Sequence, residues 1–79
     1  MPFQVGDRVI LKTINRPALS VSNGTPAYFL AVLSERRMKC CLSMSKQHEW
    51  FAVDIEDVSK VIDHITNKVV HQYDARTGL

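Results

Sequence analysis

A two-residue alternation of side chains in the middle of the chain constrains its fold most. In residues 38–44 an apolar or sulfur-bearing side chain recurs at every second position. The face that this pattern predicts to be buried carries Met38, Cys40, Leu42 and Met44. A period of two is typical of a half-buried β-strand, because successive side chains of a strand point to opposite faces. The pattern predicts that Cys40 is a core thiol and that Cys41 is a surface thiol.

The neighbouring segments extend this strand into a meander. Residues 28–34 (YFLAVLS) form the most apolar run of the chain, and a charged tip at residues 35–37 follows it. A polar turn at residues 46–49 then leads into residues 50–53. Short runs rich in β-branched and aromatic side chains, separated by polar turns, predict three antiparallel strands across residues 27–53.

The remaining segments predict the other parts of an all-β chain. Residues 8–12 read as a first strand with Val9 and Leu11 turned inward. Residues 13–26 have almost no periodicity and predict a long functional or mobile loop, with room for a short ribbon that ends at Asn23-Gly24. Residues 54–58 suit a single 3₁₀ turn. Residues 61–73 read as a hairpin around Thr66-Asn67, and residues 74–79 as a frayed tail.

Size and cysteine usage limit how the core can be stabilised. A chain of 79 residues has room for one domain with a thin core, which a disulfide, a metal or self-association often supports. The two cysteines are adjacent on a strand and are poorly placed to bridge each other. Neither CxxC nor HxxxH spacing occurs, so we expect no metal site. Free thiols predict a reducing compartment, hence the cytoplasm.

The sequence gives little support for a secreted or membrane protein, or for a dedicated nucleic-acid binder. No signal peptide opens the chain and no apolar run is long enough to span a membrane. The 10 basic residues are offset by 8 acidic ones, which gives a formal net charge of +2. Dedicated nucleic-acid binders often have a pI above about 9 with one basic face. Non-specific electrostatic binding of a polyanion therefore requires that the basic and acidic residues lie on different parts of the surface.

Several features occur together in an order that points to a known architecture. They are a Phe-x-Val-Gly-Asp-x-Val opening at residues 3–9, a long first loop, a three-strand meander, and a one-turn segment before a last short strand. This arrangement resembles the SH3-like small β-barrels of the Tudor and KOW kind over residues 3–63. We predict a five-stranded SH3-like barrel at residues 1–66, extended by a C-terminal β-hairpin whose second strand and tail, residues 67–79, pack on the same domain. Such a fold does not by itself fix function.

Two enzymatic groups of similar architecture can be compared residue by residue. Type II dihydrofolate reductases share the Gly-Asp-Arg-Val of residues 6–9 but need a first-strand lysine and a fourth-strand Val-Gln-Ile-Tyr run, where this chain has Leu11 and the WFAV of residues 50–53. Toxin ribonucleases of the MazF kind need an Arg-Pro that only Thr25-Pro26 echoes. A small-molecule enzyme is thus a lesser alternative, and we expect no cofactor.

The histidines are the natural acid–base candidates, because an unperturbed imidazole titrates near physiological pH. His48 adjoins Glu49 in a predicted turn, His64 adjoins Asp63, and His71 lies in the terminal hairpin. No serine or cysteine has an evident base partner in the sequence. We therefore predict a protein without catalytic residues.

We predict a non-enzymatic binding module or adapter for a protein partner. One ring of the Trp50-Phe51 pair should be exposed, and it could bind the partner together with Tyr28 and the long first loop. The predicted partner-binding residues are Trp50, Phe51, Tyr28, Asn15, Arg16 and Asn23. The alternative is nucleic-acid binding through the basic turn, which would use Arg36, Arg37, Lys39 and Lys46. The C-terminal hairpin carries Val69, Val70 and Tyr73, whose burial would require a homo-oligomer.

Overall fold

The regular secondary structure is mostly β-strand in the computed structural model, which describes residues 3–72. The strands are β1 (Arg8–Leu11), β2 (Ile14–Arg16), β3 (Leu19–Val21), β4 (Thr25–Ser34), β5 (Arg37–Cys41), β6 (Phe51–Asp54), β7 (Val58–Ile62) and β8 (Val69–Gln72). Two 3₁₀ segments, Met44–Glu49 and Ile55–Asp57, precede β6 and β7. Within the described range no helix is long and apolar enough to cross a bilayer. The all-β class is confirmed.

Six of the strands form one antiparallel sheet in the order β6-β5-β4-β1-β7-β8. The predicted meander is present, because β4, β5 and β6 are adjacent and pair in sequence order. The first strand, β1, lies between β4 and β7, with Val9 opposite Ala27 on one side and Val61 on the other. Closure of this sheet into a barrel and the five-strand count stay predictions.

The core is built from side chains that alternate along these strands. Val9 and Leu11 of β1 are fully buried, as predicted, while Arg8 and Ile10, which alternate with them, are only half-buried. The buried hydrophobic cluster consists of Val9, Leu11, Ile14, Ala27, Phe29, Met38, Cys40, Val53, Val58 and Val61. Phe3 adds an edge-on ring contact to Phe29, with 5.7 Å between the ring centroids.

The predicted strand over residues 38–44 is wrong at its C-terminal end. Strand β5 stops at Cys41, and the chain then turns into the first 3₁₀ segment. Cys41, predicted to be at the surface, is fully buried, and Leu42, predicted to be buried, is half-exposed. The Sγ atom of Cys41 lies 3.9 Å from the Sδ atom of Met44, so the start of the 3₁₀ segment lies against the thiol. Alternation fails here because it holds only while the backbone stays extended.

Both thiols are expected to be inert in the folded protein. Burial raises the pKa of the Cys40 thiol to about 12 and also raises the pKa of Cys41. Since the thiolate is the reactive form, a disulfide reagent such as dithionitrobenzoate should modify neither side chain at pH 8 on the time scale of minutes. Two thiols should react at once in 6 M guanidinium chloride. Rapid release of one equivalent from the native protein would contradict the buried position of Cys41.

The long first loop contains the short ribbon for which its sequence leaves room. Strands β2 and β3 pair from Ile14 opposite Val21 to Arg16 opposite Leu19, and residues 17 and 18 form the tip. Asn23-Gly24 turns the chain from the ribbon into β4, as predicted, with Gly24 at a φ of +90°. Such a φ favours glycine, which has no Cβ to clash.

The second 3₁₀ segment lies where a single turn is predicted. Asp57 closes it, since the Asp54 amide donates to the Asp57 carboxylate at 3.1 Å. Val58 directly after it is fully buried, and Ile55 packs against the core. This short segment thus connects the edge strand β6 directly to β7.

The terminal hairpin is formed by β7 and β8. Its turn is fixed by the Asp63 carboxylate, which accepts the amides of Ile65 and Thr66 at 2.8 Å each. The side chains of Val69 and Val70 are about half-exposed. Tyr73 and the predicted frayed tail lie outside the described residues.

Candidate functional site

Three of the six predicted partner-binding residues line one surface groove. Arg16 comes from the end of β2, whereas Trp50 and Phe51 come from the junction between the first 3₁₀ segment and β6. The depression between them has a volume of about 400 Å³. Side chains from distant parts of the sequence therefore meet at the tip of the ribbon.

A second, more enclosed depression adjoins the first. It has a volume of about 270 Å³, and its apolar lining includes Leu19, Leu42 and Phe51, with Lys46 and Glu49 also at the pocket. The two depressions share Ala18, Leu19 and Phe51, and together we call them the ribbon groove. Its lining residues are Arg16, Ala18, Leu19, Arg37, Leu42, Ser43, Lys46, Glu49, Trp50, Phe51 and Ala52.

Asp57 holds the ribbon beside this groove. The Arg16 Nη2 donates to the Asp57 Oδ2 at 3.2 Å, and the Lys12 amide donates to the Asp57 carbonyl at 2.8 Å. The same residue therefore anchors the chain at the root of β2 and at its end. Asp57 belongs to the short 3₁₀ segment that follows β6. Its contact with Arg16 therefore connects the ribbon, which forms one wall of the groove, to β6, which forms the other.

The two adjacent rings have different surroundings. Phe51 pairs with Cys40 across β5 and β6 and packs half-buried against the core. Trp50 lies just before β6 and is 46% exposed, so it is the exposed member of the pair. The Lys39 Nζ lies 4.5 Å from the centroid of the Trp50 ring, a cation–π contact that orients the indole.

The other three predicted partner-binding residues lie elsewhere. Tyr28 is half-buried on β4 between Arg8 and Cys41 of the neighbouring strands. Asn15 lines a separate depression on the ribbon, of about 390 Å³, and Asn23 lies in the turn after β3. Sequence reasoning missed Leu42 as a groove residue because unbroken alternation assigned it to the core.

The basic residues proposed for nucleic acid do not form one free patch. Arg36 forms an ion pair with Glu56, and the Arg37 Nε lies 3.2 Å from the Asp54 Oδ1. Lys39 lies over the Trp50 ring, and Lys46 lines the ribbon groove. The positive charges are thus distributed among acidic and aromatic neighbours.

A buried carboxylate, Asp7, joins the two ends of the fold. Its Oδ2 accepts the Gln4 amide at 2.9 Å, and its Oδ1 accepts the His64 amide at 3.1 Å. The His64 Nδ1 lies 2.6 Å from the same Oδ1. Burial favours the neutral acid and so raises the pKa of Asp7, but the hydrogen bonds from Gln4 and His64 outweigh it, and the net pKa is lowered. Asp7 is therefore a buried anion held by fixed donors.

The same network is the place where metal-ligating atoms come together in residues 3–72. One ligand atom each of Asp7, Asp63 and His64 lies within 4.8 Å of the others. The Oδ1 of Asp7 and the Nδ1 of His64 face each other, and the Oδ1 of Asp63 accepts two turn amides. These atoms serve a structural hydrogen-bond network that connects the first turn to the terminal hairpin.

The other two histidines are separate from this network and from each other. His48 is exposed in the first 3₁₀ segment. The ring of His71 packs edge-on to Phe3 with centroids 5.7 Å apart, and burial lowers its pKa. Its buried Nε2 has no hydrogen-bond partner in the described structure. This environment favours the neutral imidazole, so His71 acts as a packing residue.

Comparison of the chain with protein-family models, with curated proteins and with solved structures finds no match.

Proposed function

We propose that the protein is a non-enzymatic binding module that receives a protein partner in the ribbon groove. The observation that supports this most is the meeting of Arg16, Trp50 and Phe51 in one depression at the tip of the first loop. Ligand pockets are typically concave and mostly apolar, with a few polar groups that fix the orientation of the ligand. The ribbon groove has an apolar surface and polar groups, and the exposed Trp50 indole is part of its lining.

The chemistry of the groove supports binding rather than catalysis. Its ionisable side chains in the described structure are Arg16, Arg37, Lys46 and Glu49. None of these is a nucleophile paired with a base, and the two thiols are buried in the sheet. A bound chain would instead contact aromatic and aliphatic surface, which is the kind of surface that provides most of the affinity at protein interfaces.

The Trp50→Ala variant tests the proposal. A phage library of random heptapeptides is panned on the protein, and selected peptides are titrated by fluorescence anisotropy. We expect Trp50→Ala to weaken binding by at least tenfold, because anchor aromatics at interfaces contribute about 2 kcal/mol or more. Its melting temperature should stay within a few degrees of wild type, since the ring is half-exposed.

Val32→Ala provides the matched control, because Val32 is an exposed apolar residue of β4 that does not line the groove. It should bind the selected peptides like wild type. Peptides that bind Trp50→Ala and wild type equally would show that the groove is not the binding site.

Nucleic-acid binding is the alternative function. An exposed ring flanked by cations is the arrangement that stacks an unpaired base, and Trp50 with Lys39 has that geometry. The acidic partners of Arg36 and Arg37 weaken this alternative. It predicts a gel shift of single-stranded DNA at 50 mM salt that falls steeply by 200 mM, because counterions are released on binding. The absence of any shift at low salt would remove it.

We also propose that the sheet closes as an SH3-like barrel. The strand order, with β1 between β4 and β7 and a 3₁₀ turn before β7, supports this architecture. The half-exposed valines of β8 support self-association through the terminal hairpin. The buried free thiols suit a reducing compartment such as the cytoplasm.

A further inference from the structure

We propose that the ribbon groove selects an acidic peptide segment that carries one bulky apolar side chain. This inference rests on the proposed function and specifies the chemistry of the partner. It follows from three properties of the groove, namely its charge, the unused hydrogen-bond donors of its arginines, and the size of its apolar compartment.

The lining of the groove carries more positive than negative charge. Arg16, Arg37 and Lys46 contribute three cations and Glu49 contributes one anion, while both arginines are already paired with aspartates outside the lining. A further cation, Lys39, lies over the Trp50 ring, so the groove together with those aspartates carries an excess of one positive charge. A ligand with carboxylates is therefore attracted to the groove, and one with lysines is repelled.

The two arginines retain donors for such carboxylates. Arg16 contacts Asp57 through Nη2, and Arg37 contacts Asp54 through Nε. A guanidinium has five N–H donors in a planar fork, and each of these ion pairs uses a single nitrogen. The acids therefore fix the position of each fork and leave N–H groups for a ligand. Donors already fixed in place lose less entropy when a carboxylate binds.

The enclosed compartment provides the apolar part of the recognition. Its volume of about 270 Å³ suits one large aliphatic or aromatic side chain, which would contact Leu19, Leu42 and Phe51. Lys46 belongs to the same compartment and can reach a carboxylate next to the inserted side chain. Nucleic acid is less suited, because its phosphate backbone carries no apolar side chain for this compartment.

Defined peptides test the inference. Fluorescein-labelled nonapeptides of glycine and serine carry a central leucine or phenylalanine that is flanked on both sides by two aspartates, two serines or two lysines. We expect the aspartate peptides to bind at least tenfold more tightly than the lysine peptides at 50 mM salt. The ratio should shrink at 500 mM salt, since screening weakens exposed charge pairs.

Two variants and a control locate the effect. Lys46→Gln and Arg37→Gln should each lower the aspartate-to-lysine ratio by about threefold or more. Arg36→Gln is the matched control, because Arg36 adjoins Arg37 in sequence but does not line the groove. It should leave the ratio unchanged. A loss of preference in Arg36→Gln equal to that in Arg37→Gln would overturn the assignment to the groove.

The outcomes separate this inference from the proposed function. If the peptides bind with equal affinity, or the lysine peptides bind best, the charge selection is wrong while a peptide-binding groove stands. If neither the leucine nor the phenylalanine peptides bind at millimolar concentration, both the inference and the proposed function are wrong. Stronger binding of a labelled oligothymidine than of every peptide would overturn the inference in favour of nucleic acid.

Discussion

The Phe29→Ala variant is expected to lose about 3–5 kcal/mol of unfolding free energy, the usual cost of emptying a phenylalanine site in a packed core. Phe29 is 3% exposed in the centre of β4 and contacts the ring of Phe3. Domains of this size have a total stability of roughly 4–12 kcal/mol, from about 0.05–0.15 kcal/mol per residue. The substitution should therefore remove a large fraction of the total, and urea denaturation followed by circular dichroism measures it.

Val32→Ala is the control on the same strand. Val32 is 49% exposed, so its truncation leaves no cavity and should change the unfolding free energy by no more than about 0.5 kcal/mol. Equal losses in the two variants would mean that β4 does not bury the face that contains Phe29.

The Asp7→Asn variant is expected to lose about 3 kcal/mol of unfolding free energy, because hydrogen bonds to a charged group contribute about 1.5–3 kcal/mol each and Asp7 accepts several. Asp7 is 1% exposed, whereas the side chain of its partner His64 is 36% exposed, and solvent near the ring moderates the loss. An asparagine keeps the shape of the side chain. Its NH₂ group, however, brings a donor to a site where the Gln4 and His64 amides already donate.

The same substitution should alter the dependence of stability on pH. The pKa of Asp7 in the folded protein lies below its ordinary value of 3.8. The unfolded chain therefore binds the proton first as the pH falls. The stability contributed by the ionised form is fully present above pH 3.8 and is lost as the pH drops through the lower, folded-state pKa. Asp7→Asn should show a shallower loss over this window.

Asp63 also has a lowered pKa, because its carboxylate accepts hydrogen bonds from the amides of Thr66 and Ile65. Wild type and Asp7→Asn both keep Asp63, so the difference between their pH profiles reports on Asp7. Glu35→Gln removes an exposed carboxylate in the turn between β4 and β5, and it controls for the loss of one negative charge from the surface. Urea midpoints between pH 2 and 7 provide the measurement. Parallel curves for Asp7→Asn and wild type would show that Asp7 does not act as a buried anion.

The fold was predictable where one local rule decided it. Alternation placed Val9 and Leu11 in the core, and the spacing of residues 54–58 indicated a 3₁₀ turn. The rule failed at Cys41 and Leu42, where the strand ends without a glycine or proline to mark the change. The sequence in this stretch does not show that a 3₁₀ segment covers Cys41, because that depends on a contact with Met44.

The candidate site was predictable only in part. The presence of an aromatic pair beside a long loop pointed to Trp50, Phe51 and Arg16, which do line one groove. Tyr28 lies apart from it on β4, between Arg8 and Cys41 of the neighbouring strands. The ribbon that carries Asn15 is held by Asp57, 41 residues from Arg16. A hydrogen bond across that separation has no local signature in the sequence.

The position of β1 between β4 and β7 has a consequence for synthesis on the ribosome. Strand β1 is made before both of its neighbours, and Arg8 pairs with Ile62 on the β7 side. A nascent chain that has released only its first half can form the β1–β4 pairing but lacks β7 beside it. Because contacts between distant parts of a chain form slowly, we expect the native sheet to assemble in one late step after β7 has left the exit tunnel. Until then Val9 and Leu11 lack their native cover and are a target for chaperones.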